Sequence, residues 1–191
     1  MADFEKAFRI TILGNEGGYN PGIGEEETYI GVDRGANPHW IGWRIIDNIK
    51  AAQPGISTAK MNVTLATNNQ LQAEIRTFYK ANYWDTVKLD NVIDQQLANN
   101  LFDCSVNQGD GIARKFMQGA CNIVLTATNA AIKLLVIDMV VGPGTLSAIN
   151  TLPAAKLMDE INALRWARYQ KSKGFAEWGD VWKRRLLKYK V

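Results

Sequence analysis

The chain is short of most residues that carry enzyme chemistry. Its 191 residues include one histidine, His39, and two cysteines, Cys104 and Cys121. Two cysteines make no disulfide framework, and no CxxC or Cys/His cluster supplies metal ligands. Both thiols are expected to be buried small apolar residues. A lone histidine leaves little material for a zinc site or for a serine or cysteine triad. Long apolar runs are also missing. Leu134 to Ile137 is followed by Asp138 and preceded by Lys133, whereas a bilayer span takes roughly 20 apolar residues. The first ten residues contain Asp3, Glu5, Lys6 and Arg9, unlike an export signal, so synthesis in the cytoplasm without stable membrane association is expected. The net charge of +3 is small for this length and does not imply a nucleic-acid partner. What stays available is carboxylate chemistry.

What is present is a globular composition, 47% hydrophobic and 21% charged, which excludes disorder as the main state. The apolar spacing is helical almost throughout. Phe4, Ala7, Phe8, Thr11 and Ile12 lie on one helix face, with Asp3 as cap and Gly14, Gly17 and Gly18 marking the end. Asn37-Pro38 starts a second helix carrying Trp40, Trp43, Ile46 and Ile49, which stops before Pro54. Leu71, Ile75, Phe78 and Tyr79 form a third stripe, and Ile93, Leu97, Leu101 and Cys104 a fourth. After the turn-rich residues 107–111, helices are expected over 112–122, 129–137, 145–150, 153–171 and 177–189. Thr28 to Asp33 suits a small hairpin, and Met139 to Val141 a short strand. The fold class is mainly α, with at most a small β-hairpin.

Charge is unevenly placed. Residues 1–32 hold six acids against Lys6 and Arg9, and residues 156–191 hold ten bases against four acids. A basic terminal helix is usually a solvated face, and otherwise attracts anionic partners such as a cell-envelope polymer.

The informative stretch is Leu13-Gly14-Asn15-Glu16-Gly17-Gly18-Tyr19, followed by Glu25-Glu26-Glu27-Thr28-Tyr29-Ile30-Gly31-Val32. Glu16 falls where the first helix ends, among unpaired carbonyls that disfavour a carboxylate. Burial beside Tyr19 acts the same way and favours the protonated acid. A carboxylic acid kept protonated near neutral pH is what general-acid cleavage of a glycosidic bond requires. Gly17 and Gly18 leave open backbone that a bulky polymer can approach. Alone, the motif reads equally as a glycine cap beside an exposed glutamate.

Together, Glu-Gly-Gly-Tyr and a Thr-x-x-Gly nine residues after Tyr19 resemble glycoside hydrolase family 108. These are phage and bacterial N-acetylmuramidases of the lysozyme superfamily, which hydrolyse peptidoglycan. Asn37-Pro38-His39-Trp40-Ile41-Gly42-Trp43 continues the likeness. The second half, with Asp103-Cys104-Ser105-Val106-Asn107-Gln108-Gly109, Val141 to Leu146 and Gly174 to Gly179, resembles the predicted peptidoglycan-binding region paired with that enzyme. The resemblance implies a lysozyme-like helical body, with a hydrolase region over 1–95 and a binding region over 96–191. It puts the catalytic acid on Glu16 and a water-holding threonine on Thr28. It also implies a β-1,4 N-acetylmuramic acid–N-acetylglucosamine bond as target, no cofactor, and release through a holin or secretion apparatus.

The sequence departs from the family just before Thr28. Ile23 stands where many relatives have aspartate, and Glu25-Glu26 replaces a glycine pair. Glu25 or Glu26 is therefore a candidate second carboxylate, the other reading being a solvated acidic loop. Tyr19, Gly17, Gly18 and Tyr29 are candidate sugar contacts, since sugar rings stack on aromatic faces. Trp40 and Trp43 suit core packing. Asp33-Arg34 suits an ion pair or a substrate contact. Asn107, Gln108, Trp178 and Trp182 are candidates for the far side of a groove, packing being the stronger role for both tryptophans. A lytic transglycosylase and a non-catalytic peptidoglycan-binding or virion-associated protein are the alternatives.

Overall fold

In the computed structural model, which describes residues 1–128 and 133–189, the chain is mainly α-helical with one small antiparallel sheet. It forms two compact units, one of residues 8–82 and one joining residues 1–7 to those from 83 onward. Packing thus divides the chain after Asn82, whereas the sequence reading drew its functional boundary at residue 95.

Helix α1 (Phe4–Phe8) starts where Asp3 Oδ1 accepts the Glu5 amide at 2.9 Å. It runs on as a π-helical turn over Arg9–Leu13, so one stripe of apolar residues spans both kinds of turn. In the 8–82 unit Phe8, Thr11 and Ile12 are fully buried. The strands β1 (Tyr19–Asn20), β2 (Thr28–Tyr29) and β3 (Val32–Asp33) pair in that order, Tyr19 opposite Tyr29 and Tyr29 opposite Val32. The expected hairpin is β2–β3, and β1 adds a third strand to it. Its turn, Ile30-Gly31, has both φ angles positive, 45° and 74°, as the tight hairpin turn matching strand twist demands.

Helix α2 (Ile41–Ala52) begins later than the Asn37-Pro38 expectation, because residues 37–40 form a turn closed from the Trp40 amide to the Asn37 carbonyl. Helix α3 (Thr58–Ala66), capped by Ser57, was not expected. Its buried apolar residues are Met61 and Leu65 alone, too few for a legible stripe. Helix α4 (Asn69–Tyr79), capped by Asn68, buries Leu71, Ile75 and Tyr79, as their spacing predicts.

In the other unit, α5 (Gln95–Gln108) is buried on every residue from Leu97 to Ser105, including Asn99, Asn100 and Asp103. A helix buried all round must satisfy its polar groups inside the protein. The Asp103 carboxylate takes Arg165 from α8 (Ala154–Tyr169) and, at 2.7 Å, Arg185 from α9 (Phe175–Leu187). Both Asp103 and Arg165 are wholly buried. Cys104 and Cys121 are free and buried. Burial pushes their thiols up to about 11 and about 12.

Two expectations fail between α6 (Asp110–Ala127) and α7 (Pro143–Thr151). Of the helix expected over 129–137, residues 129–132 lie outside the described residues, and 133–137 are not helical. Met139 to Val141 form no strand, and Met139 is left-handed at φ 63°. Side-chain amides take the place of a strand partner here. Buried Gln118 donates to Asp138 Oδ1 and the Val140 carbonyl and accepts from the Met139 amide, while Asn122 pairs with both backbone groups of Leu135. No described helix is long and apolar enough to cross a membrane.

Candidate functional site

Glu16 sits beyond the π-helical turn, its amide donating to the Ile12 carbonyl at 2.8 Å. The Asn15 side chain donates to the Ile10 and Thr11 carbonyls, each at 2.9 Å. These bonds close the helix end without a left-handed glycine, since Gly14 keeps helical dihedrals. Gly14 is still required by space, because a Cβ there would lie 2.8 Å from the Ile10 carbonyl oxygen. Half-buried Glu16 is thereby held at a fixed helix exit.

Its carboxyl meets the β2–β3 turn. A methyl group on Gly31 would stand 2.7 Å from Glu16 Oε2 and 2.7 Å from the Tyr79 hydroxyl oxygen. Tyr79, 2% exposed, also donates its hydroxyl to the Ile30 carbonyl at 2.7 Å. One glycine thus seats the acid and a phenol against the same turn. Ile30, a β-branched residue at φ 45°, is strained there by about 1–3 kcal/mol, a cost that recurs at functional sites. Gly31→Ala should force both oxygens away from a backbone that alanine also resists. We expect turnover to fall on the order of 100-fold from the displaced acid, read by clearing of a peptidoglycan suspension alongside thermal unfolding.

The sheet carrying this turn is clamped from its buried face. Side chains alternate along the strands, so Tyr19, Glu27, Tyr29 and Val32 share one face, and Asn20, Thr28 and Asp33 the other. Glu27, whose side chain is 11% exposed, accepts from the Tyr19 hydroxyl at 2.6 Å, Arg34 at 2.6 Å and Lys50 at 3.0 Å. Arg34 also forks onto both oxygens of Asp47 and lies over the Trp43 ring. Burial works against an ionised Glu27, but the donors Tyr19, Arg34 and Lys50 outweigh it and hold its carboxyl below the ordinary range. Burial, with Glu27 adding to it, pushes the Tyr19 phenol far up.

The structure places the sequence candidates as follows. Gly17 is open to solvent with nothing near its missing Cβ, and Gly18 is filled by Asn62, whose Oδ1 also accepts the Tyr19 amide at 2.7 Å. Tyr19 is 8% exposed and its hydroxyl is committed to Glu27. Tyr29 is buried, and its hydroxyl accepts from Gln72. Thr28 is half-buried on the sheet face shared with Asn20 and Asp33. Glu25 is exposed and accepts from Asn20 at 2.6 Å, while Glu26 is exposed beside Gly35. Arg34 is paired with Glu27 and Asp47 rather than with Asp33, which accepts from the Ala36 amide. Asn107 and Gln108 end α5 in the other unit, donating to the Asp103 and Arg165 carbonyls.

Sequence reasoning missed Tyr79, Gly31 and Glu27 as working parts of the site. Gly31 was legible as the glycine of the Thr-x-x-Gly motif, but Tyr79 looked like a core stripe residue and Glu27 like one of three solvated acids. A cavity of about 340 Å³ in this unit is lined by Arg34, His39, Trp40, Trp43 and Asp47, without Glu16.

A family model described as Glycosyl hydrolase 108 matches residues 10–109, more than half of the chain. No curated protein sequence matches it. Among solved structures the chain resembles that of Brucella abortus SagA, at 20% identity over 97% of this chain and 90% of that one, with a TM-score of 0.61. That likeness is one of fold, and it agrees with the mainly helical body and its small sheet. The matched span holds both halves of the motif and the turn that seats Glu16. The chain belongs to glycosyl hydrolase family 108 and is a glycoside hydrolase acting on peptidoglycan.

Proposed function

We propose that the protein is an N-acetylmuramidase that hydrolyses the β-1,4 bond between N-acetylmuramic acid and N-acetylglucosamine, with Glu16 as general acid. The observation that carries this reading is the placement of the Glu16 carboxyl against Gly31 and the Tyr79 hydroxyl at a fixed helix exit. A carboxyl so seated can protonate the bridging oxygen as the bond to the muramic acid C1 breaks. N-acetylglucosamine departs with a 4-hydroxyl, and water attacks C1, losing its proton to a base and leaving N-acetylmuramic acid with a free reducing end. Thr28 is the proposed holder of that water, and Glu25 or Glu26 the proposed carboxylate that activates it, an arrangement that gives inversion at C1.

Mass spectrometry of digested peptidoglycan tests the reaction. We expect muropeptides ending in reducing N-acetylmuramic acid. Anhydro-muramyl ends would assign the protein to lytic transglycosylation, in which the sugar's own 6-hydroxyl replaces water. We further propose that the enzyme works as an endolysin, made in the cytoplasm and released to the wall by a holin-type pore or secretion apparatus. The wall lies outside the membrane that bounds the site of synthesis.

A further inference from the structure

A second concavity lies in the unit that does not contain Glu16. It is a groove of about 450 Å³ between α6 and the end of α8. Ile112, Lys115 and Phe116 come from α6, and Leu164, Arg168 and Lys171 from α8 and the turn after it. Ile112, Lys115 and Phe116 are spaced i, i+3, i+4 and Leu164 and Arg168 i, i+4, so each set lies on one helix face. Among the described residues, no acid lines the groove. Some other basic residues of this unit face acids, Arg114 with Asp110 and Arg165 and Arg185 with Asp103. Lys115, Arg168 and Lys171 form no ion pair among the described residues, and Lys115, Arg168 and Lys171 are all exposed. Three unmatched cations around an apolar floor are complementary to a ligand that carries several negative charges separated by hydrocarbon.

We propose that this groove binds the carboxylates of peptidoglycan peptide stems, with the aliphatic parts of the stem lying on Ile112, Phe116 and Leu164. This rests on peptidoglycan as the substrate and adds a second contact to it, through the peptide rather than the sugar. The lining favours stems over a phosphodiester polymer, which offers charge without apolar segments to cover the floor. A stem held here would raise the local concentration of glycan at the enzyme and leave the chemical step unchanged.

Sedimentation with three insoluble walls tests the proposal, using the full-length Glu16→Gln protein so that the walls stay intact. The walls are purified sacculi with peptide stems, the same sacculi stripped of stems by an amidase, and stem-bearing walls from which phosphate polymers have been removed. We expect stripped sacculi to be bound about tenfold more weakly, and phosphate removal to have no effect. The triple substitution Lys115→Gln, Arg168→Gln, Lys171→Gln should lose the preference for stems, three weakened exposed pairs together giving about tenfold. In the otherwise native enzyme it should raise KM for sacculi and leave kcat unaltered. These residues are exposed, so the fold should survive, and circular dichroism checks that it does. Equal binding of stripped and intact sacculi, a preference that follows phosphate, or an unchanged preference for stems in the triple variant would each overturn the proposal. Because binding is read without catalysis, these outcomes stand apart from any failure of the muramidase reading.

Discussion

Glu16→Gln should lower peptidoglycan hydrolysis by about 10²–10⁴-fold, the usual contribution of a positioned general acid. Glutamine has nearly the volume of glutamate and fits the same seat beside Gly31 and Tyr79. It cannot transfer a proton to the leaving oxygen, so the loss falls on kcat and not on substrate binding. The far-UV circular dichroism and the KM for sacculi should therefore match those of the native protein. Full turnover in the variant would remove Glu16 from the mechanism, whatever the motif around it. A rise in KM with kcat retained would make Glu16 a sugar contact. The decisive measurement is the kcat–KM pair on purified walls.

Asp103→Ala should lower stability by about 3–5 kcal/mol. Its carboxylate neutralises Arg165, which has no exposed side-chain surface, and also holds Arg185. Removing the anion leaves a guanidinium buried without its counter-charge, held by the Asn100 carbonyl and side-chain oxygens. A domain has about 5–15 kcal/mol of stability, so the variant should unfold at a much lower urea concentration. Asp110→Ala is the internal control. Its ion pair with Arg114 is of the same length class but sits 38% and 29% exposed, where a pair contributes no more than about 1 kcal/mol. Equal losses in the two variants would mean that the Asp103 site is hydrated.

The elements legible in the sequence are those with a one-sided apolar stripe. Leu71, Ile75 and Tyr79 announce α4, and Thr28 to Asp33 announces the β2–β3 hairpin. Helix α3 was missed because two buried residues make no period, although Asn62 on it supports Tyr19 and fills the space of Gly18. The segment after α6 was misread because its apolar residues look helical or strand-like. Its backbone is instead satisfied by Gln118 and Asn122, two amides with no distinctive local signature. Glu16 was legible because a glycine pair follows it at a helix end. The seat it occupies was not, since Gly31 and Tyr79 are 15 and 63 positions away in sequence and meet it through tertiary packing.

The triple acceptance by Glu27 bears on how acid inactivation should be interpreted. Its carboxyl ionises more readily in the folded chain than in the unfolded one, so its contribution is complete above the ordinary glutamate range near about 4.3. That contribution disappears as pH falls through the lowered folded value. Protonation there loosens Tyr19, Arg34 and Lys50 together, and with them the sheet that carries Gly31. The acidic limb of a pH–rate profile would then record the scaffold giving way as well as any change at the reacting groups.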